Sequence, residues 1–138
     1  MIGQKGQGKS GKPRKKPAKR SLGVSKETRT AVLARSNHRC EKCGLMLAQG
    51  FFYSIHHRTP RGMGGTREKR LNLPSNLVAI CGSGTTGCHG WIESHRSEAE
   101  DEGWLVSRYQ ESAEVPLFIY GVGWRYLTDE GTYSSSPP

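Results

Sequence analysis

A chain of 138 residues, 33% of them hydrophobic, has material for one compact core and not for two. Its mean hydropathy of −0.68 makes that core thin, so a metal or disulfide staple would add much to it. The net charge of +9 suits a polyanionic partner, and the absence of any apolar run near membrane-spanning length, or of a signal-like apolar stretch, excludes an integral membrane protein and favours the cytoplasm.

The charge is concentrated at the N-terminus. Residues 1–20 hold Lys5, Lys9, Lys12, Arg14, Lys15, Lys16, Lys19 and Arg20 with no acid, leaving 13 basic against 12 acidic residues in the remainder. Residues 1–24 have almost nothing apolar to bury and read as a disordered basic tail, either a sequence-blind phosphate-binding arm or a solubilising segment. Ser25 then reads as the N-cap of a helix that has Glu27 in its first turn and ends near Asn37. Cys40 and Cys43 follow in a tight CxxC turn. Phe51, Tyr53 and Ile55 alternate with Phe52, Ser54 and His56, which predicts a short strand running into His56 and His57.

From Arg58 to Asn72 the chain is glycine-rich and basic, a loop suited to approaching a phosphate backbone. Residues 76–80 form a short apolar element before Cys81, and a Gly-Thr loop returns the chain to Cys88. A helix is predicted from about Cys88 to Glu102, stopped by Gly103, with Trp91, Ile92 and Ala99 turned to the core. Strands are expected over 104–106, 115–120 and 124–127, and residues 131–138 read as a disordered C-terminus. The expected organisation is therefore one α+β domain over 25–130 between two tails.

Four cysteines in a reducing compartment point to metal ligation before disulfides. Zinc takes four soft ligands in a tetrahedron, and a CxxC turn offers two of them to one ion. Cys81 and Cys88 would supply the second pair, although their spacing is looser than a second CxxC. A thioredoxin-like redox pair lacks the expected strand before the motif and helix opening at it, and two disulfides would require export.

No single histidine of the five identifies a site, but three of them are grouped with order. His56 and His57 end a predicted strand, where neighbours face opposite ways unless the strand breaks. His89 follows Cys88 at a predicted helix start, so fixing the cysteine on zinc also aims the histidine.

The segments Ile55-His56-His57-Arg58, Asn72-Leu73-Pro74-Ser75-Asn76-Leu77 and Cys88-His89-Gly90-Trp91-Ile92-Glu93 resemble, in order, the three blocks of the HNH endonucleases, and the chain is similar to small bacteriophage members with a four-cysteine zinc site. The resemblance covers roughly residues 39–96. It implies a zinc-stapled ββα-metal, treble-clef-like domain that hydrolyses DNA with one divalent ion, leaving 5′-phosphate and 3′-hydroxyl ends. It also implies that His57 is the general base, that His56 and His89 are ligands of a catalytic Mg²⁺ or Mn²⁺, and that Asn76 fixes the loop carrying the base. Where related sequences often have a second helix histidine, this chain has Glu93, which shares a helix face with His89 and offers a carboxylate to a hard cation. His95 lies near the far side of that helix and reads as solvent-exposed. Arg58 and Arg61 are the nearest candidates to grip flanking phosphates. A structural Zn²⁺ on Cys40, Cys43, Cys81 and Cys88 completes the expected cofactors, with DNA as the partner and the host cytoplasm as the setting of a phage-encoded chain. Two other readings compete: a non-catalytic zinc-stapled adaptor for nucleic acid or protein, and a packaging accessory that docks on a phage terminase.

Overall fold

In a computed structural model of the chain, the described residues are 3, 13–14, 23–47, 52–62 and 68–138. The expected disordered tail over 1–24 falls almost wholly outside them. Helix α1 (Lys26–Arg35) begins as the sequence suggests: the Ser25 hydroxyl accepts from the Thr28 amide, and Glu27 lies in the first turn. It buries Val32. After Ser36, the backbone of Asn37 and His38 adopts positive φ angles, turning the chain into the Cys40–Gly44 knuckle. There the Gly44 amide donates to the Cys40 carbonyl. Gly44 has φ +79°, and a side chain there would collide with the ring of Tyr120, so the position requires glycine twice over.

Strands β1 (Tyr53–His57) and β2 (Leu77–Cys81) pair antiparallel, with His56 opposite Val78 and Ser54 opposite Ile80. Every residue of β2 is buried, because α1 packs on it and so does α2 (Gly87–Ser94). A continuous apolar run Leu77-Val78-Ala79-Ile80 is what a strand covered on both faces needs. Between the two strands, short 3-10 turns at Lys69–Asn72 and Pro74–Asn76 order the end of the expected loop.

The expected single helix from Cys88 to Glu102 is two. His95 interrupts it with φ −126° and ψ 54°, separating α2 from α3 (Arg96–Asp101). The cause is local competition for carbonyls. Ser94 Oγ donates to the Gly90 and Trp91 carbonyls, and His95 Nδ1 also bonds the Trp91 carbonyl while its ring stacks on the indole. Gly103, at φ +85° and too close to the Pro116 carbonyl to bear a side chain, ends α3 where expected.

Residues 104–106 are not a strand. They are buried, but the amides of Trp104 and Leu105 fold back on the Ala99 carbonyl and that of Val106 donates to the Arg58 carbonyl, so no ladder forms. The C-terminal sheet consists of β3 (Leu117–Ile119), β4 (Gly123–Leu127) and β5 (Tyr133–Ser134), in that order and antiparallel. Strand β5 lies in the stretch expected to be disordered. It is held by the Tyr133 hydroxyl, which donates to Glu41 Oε1 at 2.7 Å, a long-range contact that local periodicity cannot reveal. Glu41 is itself buried in a bidentate pair with Arg35 and accepts the Ala79 amide. No helix among the described residues is long and apolar enough to cross a membrane.

Candidate metal and cleft site

Two groups of ligand-bearing side chains lie on the β1-β2-α2 unit and the knuckle before it. The first consists of Cys40, Cys43, Cys81 and Cys88, whose sulfurs all lie within 4.8 Å of one another. Cys40 and Cys43 come from the knuckle, Cys81 from the end of β2 and Cys88 from the first turn of α2. Cys43 Sγ and Cys81 Sγ are 3.7 Å apart, far beyond a disulfide and close to the edge of about 3.8 Å expected for a tetrahedron of sulfurs bound to zinc. Neighbouring thiol and amide donors, the Cys88 thiol foremost, hold Cys40 down to a pKa of about 4, and the same coupling pushes Cys88 up. Four facing sulfurs cannot all ionise without a cation among them, and the Cys88 amide already points at Cys81 Sγ at 3.4 Å. The cluster is consistent with a structural zinc.

The second group is His56, His89 and Glu93, again with ligand atoms within 4.8 Å of one another. Its hydrogen bonds fix the tautomers. His56 Nε2 faces the Trp104 carbonyl at 2.9 Å; a carbonyl only accepts, so Nε2 carries the proton and Nδ1 keeps its lone pair. The Ser54 hydroxyl donates to the Gly82 carbonyl and therefore accepts from His89 Nδ1 at 3.0 Å. That leaves the lone pair of His89 on Nε2, which faces Glu93 Oε1 at 3.8 Å. Both imidazoles thus have the arrangement typical of metal ligands, one nitrogen tethered and the other free. Burial lowers the pKa of His56 to about 4 and also lowers that of His89, which keeps both neutral near pH 7. Glu93 is exposed, and Arg96 Nη1 donates to its Oε2 at 3.1 Å.

Ile55, His56, His57, Arg61, His89 and Glu93 line an open cleft of about 430 Å³. The adjacent histidines therefore share one cavity although β1 alternates, because the cleft wraps the end of the strand. His57 Nε2 donates to Asn72 Oδ1 at 2.9 Å, so its Nδ1 holds the lone pair. Burial, with Arg61 adding to it, lowers its pKa against the opposing effect of Asn72.

Asn76 is outside the cleft. It is buried, accepting the Thr59 amide and the Ser112 hydroxyl and donating to the Leu71 carbonyl, which pins the segment after His57. Arg58, expected to grip phosphate, is a correction: it is fully buried, and its guanidinium donates to the carbonyls of Gly103, Ser75, Ser112 and Val115. Four of its five N–H groups are spent on these carbonyls and the side chain is buried, so it is not placed to grip DNA. Arg61 is exposed at the cleft, and His95 is exposed on α2's far end.

Three contributors escaped sequence reasoning. Ser54 shares a face with His56 by strand alternation, so the period of β1 contained a signal for it. Asn72 was visible as an amide in the second motif, but nothing there said that it would meet His57. The Trp104 carbonyl is backbone and leaves no trace in residue types. Compared with protein-family models, curated proteins and solved structures, the chain matches none.

Proposed function

We propose that this chain is a metal-dependent DNA endonuclease of the HNH class, with the β1-β2-α2 unit as a ββα-metal finger stapled by zinc. The observation that carries the reading is the cleft itself: a tethered, neutral His57 opens onto the same cavity as two histidines and a carboxylate whose free atoms converge. An adaptor has no use for three imidazoles held neutral and aimed into one solvent-open cavity.

His56 Nδ1, His89 Nε2 and a Glu93 oxygen would hold Mg²⁺ or Mn²⁺, a donor set that suits a borderline or hard cation. When bound, the ion supplies positive charge to stabilise a phosphate oxygen and the departing 3′-oxygen. His57 takes the proton of the attacking water at Nδ1. Asn72 fixes the tautomer by accepting the hydrogen bond of Nε2–H, which leaves the lone pair on Nδ1, and burial favours the neutral ring at pH 7. Arg61 donates to a phosphate beside the scissile bond. The products are 5′-phosphate and 3′-hydroxyl ends.

The test is relaxation of supercoiled plasmid by zinc-loaded protein with Mg²⁺ or Mn²⁺, compared with His57→Ala. Metal-dependent cutting that falls at least about a hundredfold in the variant is the expected result. No cutting by folded, zinc-loaded wild type with either ion would sink the reading and leave the adaptor. A role in phage DNA packaging, alongside a terminase, adds nothing to the chemistry of the cleft and is tested separately by co-purification.

A further inference from the structure

The cleft does not end at Arg61. Pro60, Arg61 and Gly62 also form one wall of a second groove, of about 460 Å³, whose other residues include Arg96, Glu100, Arg108 and Tyr109. Among the described residues, three arginines stand in it against a single carboxylate, that of Glu100, which makes it a cationic groove adjoining the His56, His57 and His89 cavity across Pro60, Arg61 and Gly62. Arg96 stands at the junction, because it also holds Glu93.

The far end of the groove is a built display. Ser107 to Gln110 is a β-turn closed by the Gln110 amide on the Ser107 carbonyl at 3.0 Å, and the Ser107 hydroxyl accepts the Tyr109 amide. Arg108 and Tyr109 occupy its two central positions, where side chains project outward. The turn is anchored at both ends by the buried Arg58. The carbonyl of Arg58 accepts the Val106 amide before the turn, and its guanidinium holds the Gly103, Ser112 and Val115 carbonyls around it. Arg70 adds a bond to the Arg108 carbonyl. Tyr109 is 90% exposed: a hydrogen-bonded turn presents an aromatic ring almost entirely to water.

We propose that this groove receives an unpaired DNA strand leaving the scissile phosphate, with Arg96 and Arg108 on successive phosphates and Tyr109 stacked under a base; the inference rests on the nuclease function proposed above. Stacking requires the face of a base, which a continuous duplex does not offer and an unpaired nucleotide does. Cationic side chains flanking one exposed ring are the composition by which single strands are held without regard to sequence. The preferred substrate class is therefore DNA with an unpaired segment beside the cut: an overhang, a flap or a frayed end.

The experiment measures fluorescence anisotropy of a labelled oligothymidylate of about 12 nucleotides, a span such grooves cover, and of a blunt duplex. It uses full-length zinc-loaded protein with no other divalent ion. Tyr109→Ala should weaken single-strand binding about tenfold and leave duplex binding within about twofold, while Tyr109→Phe should bind as wild type does. Arg108→Ala should flatten the salt dependence of log K by about 0.7. Unchanged single-strand affinity in Tyr109→Ala, equal losses for both probes, or no single-strand binding by wild type would each overturn the groove. Binding is read without hydrolysis, so the two ideas fail separately. Plasmid cutting by a chain whose single-strand affinity is indifferent to Tyr109→Ala removes the groove and keeps the nuclease; Tyr109-dependent single-strand binding by a chain that cuts nothing removes the nuclease and keeps the groove.

Discussion

The four-cysteine cluster and the His56, His89 and Glu93 group are joined through two consecutive residues, Cys88 and His89, yet they are held by different means. The cysteines are placed by backbone: a knuckle, the end of a strand and the first turn of a helix bring the sulfurs together. The histidines are placed by hydrogen bonds that reach past the ligands themselves, to Trp104, to Ser54 and through it to Gly82. A backbone-set cluster supports the fold and tolerates little change. A side-chain-set cluster can be altered with modest effect on the fold, which is what a working site needs.

The largest effect should come from the first cluster. Cys81→Ser, or chelation of zinc from the wild type, should cost on the order of 10 kcal/mol, the scale of structural zinc binding, and abolish the folded far-UV circular dichroism signal. A soluble, folded Cys81→Ser chain would mean that the cysteines are not the staple. Next comes Arg58→Ala, which strips a donor from four carbonyls, three of them in fully buried bonds. We expect a loss of about 3–5 kcal/mol in urea unfolding, whereas Arg61→Ala should leave stability within about 0.5 kcal/mol and weaken DNA binding instead. Equal stabilities for the two variants would erase the distinction between a buried and a cleft arginine.

A smaller effect should appear with pH. His56 titrates at about 4 in the folded chain against an ordinary value near 6.5, so between those values the unfolded chain binds the proton and the folded one does not. Stability is therefore full above about pH 6.5 and declines as pH falls toward 4, by on the order of 3 kcal/mol. His56→Asn should lack this component, and the difference between the two pH curves cancels acid effects on the cysteines. Parallel curves would show that His56 is not held neutral. The smallest effect is expected for Ser54→Ala, which frees the His89 tether. Mn²⁺ binding followed by electron paramagnetic resonance should weaken about tenfold with the zinc-to-protein ratio unchanged. An equal loss of zinc would show that the two clusters are not separable.

Much of this was legible in the sequence. Helix α1 followed from its cap and β1 from its alternation, β2 was visible only as a short apolar element, and the cysteine cluster was readable from residue type and spacing; the ligand roles of His56 and His89 came from the resemblance to HNH endonucleases, and Glu93 was added by helix spacing. What was hidden is long-range. Arg58 stands beside two histidines in a basic loop, and only the carbonyls of residues 45 to 57 positions further on decide that it is buried. The break at His95 came from serine and histidine side chains competing for helix carbonyls, which a count of apolar positions overlooks. The apolar run at 104–106 carried the composition of a strand but had no partner strand to pair with. Tyr133 sits in a segment rich in serine and proline, and the acid that orders it lies 92 residues earlier.

That last contact sets a chronology. Glu41 belongs to the knuckle that emerges early in synthesis, whereas the hydroxyl that completes its shell arrives only with Tyr133. A nascent chain can assemble its cysteines while one oxygen of a buried acid still awaits its last donor, and a protease that clips before Tyr133 returns the molecule to that unfinished stage.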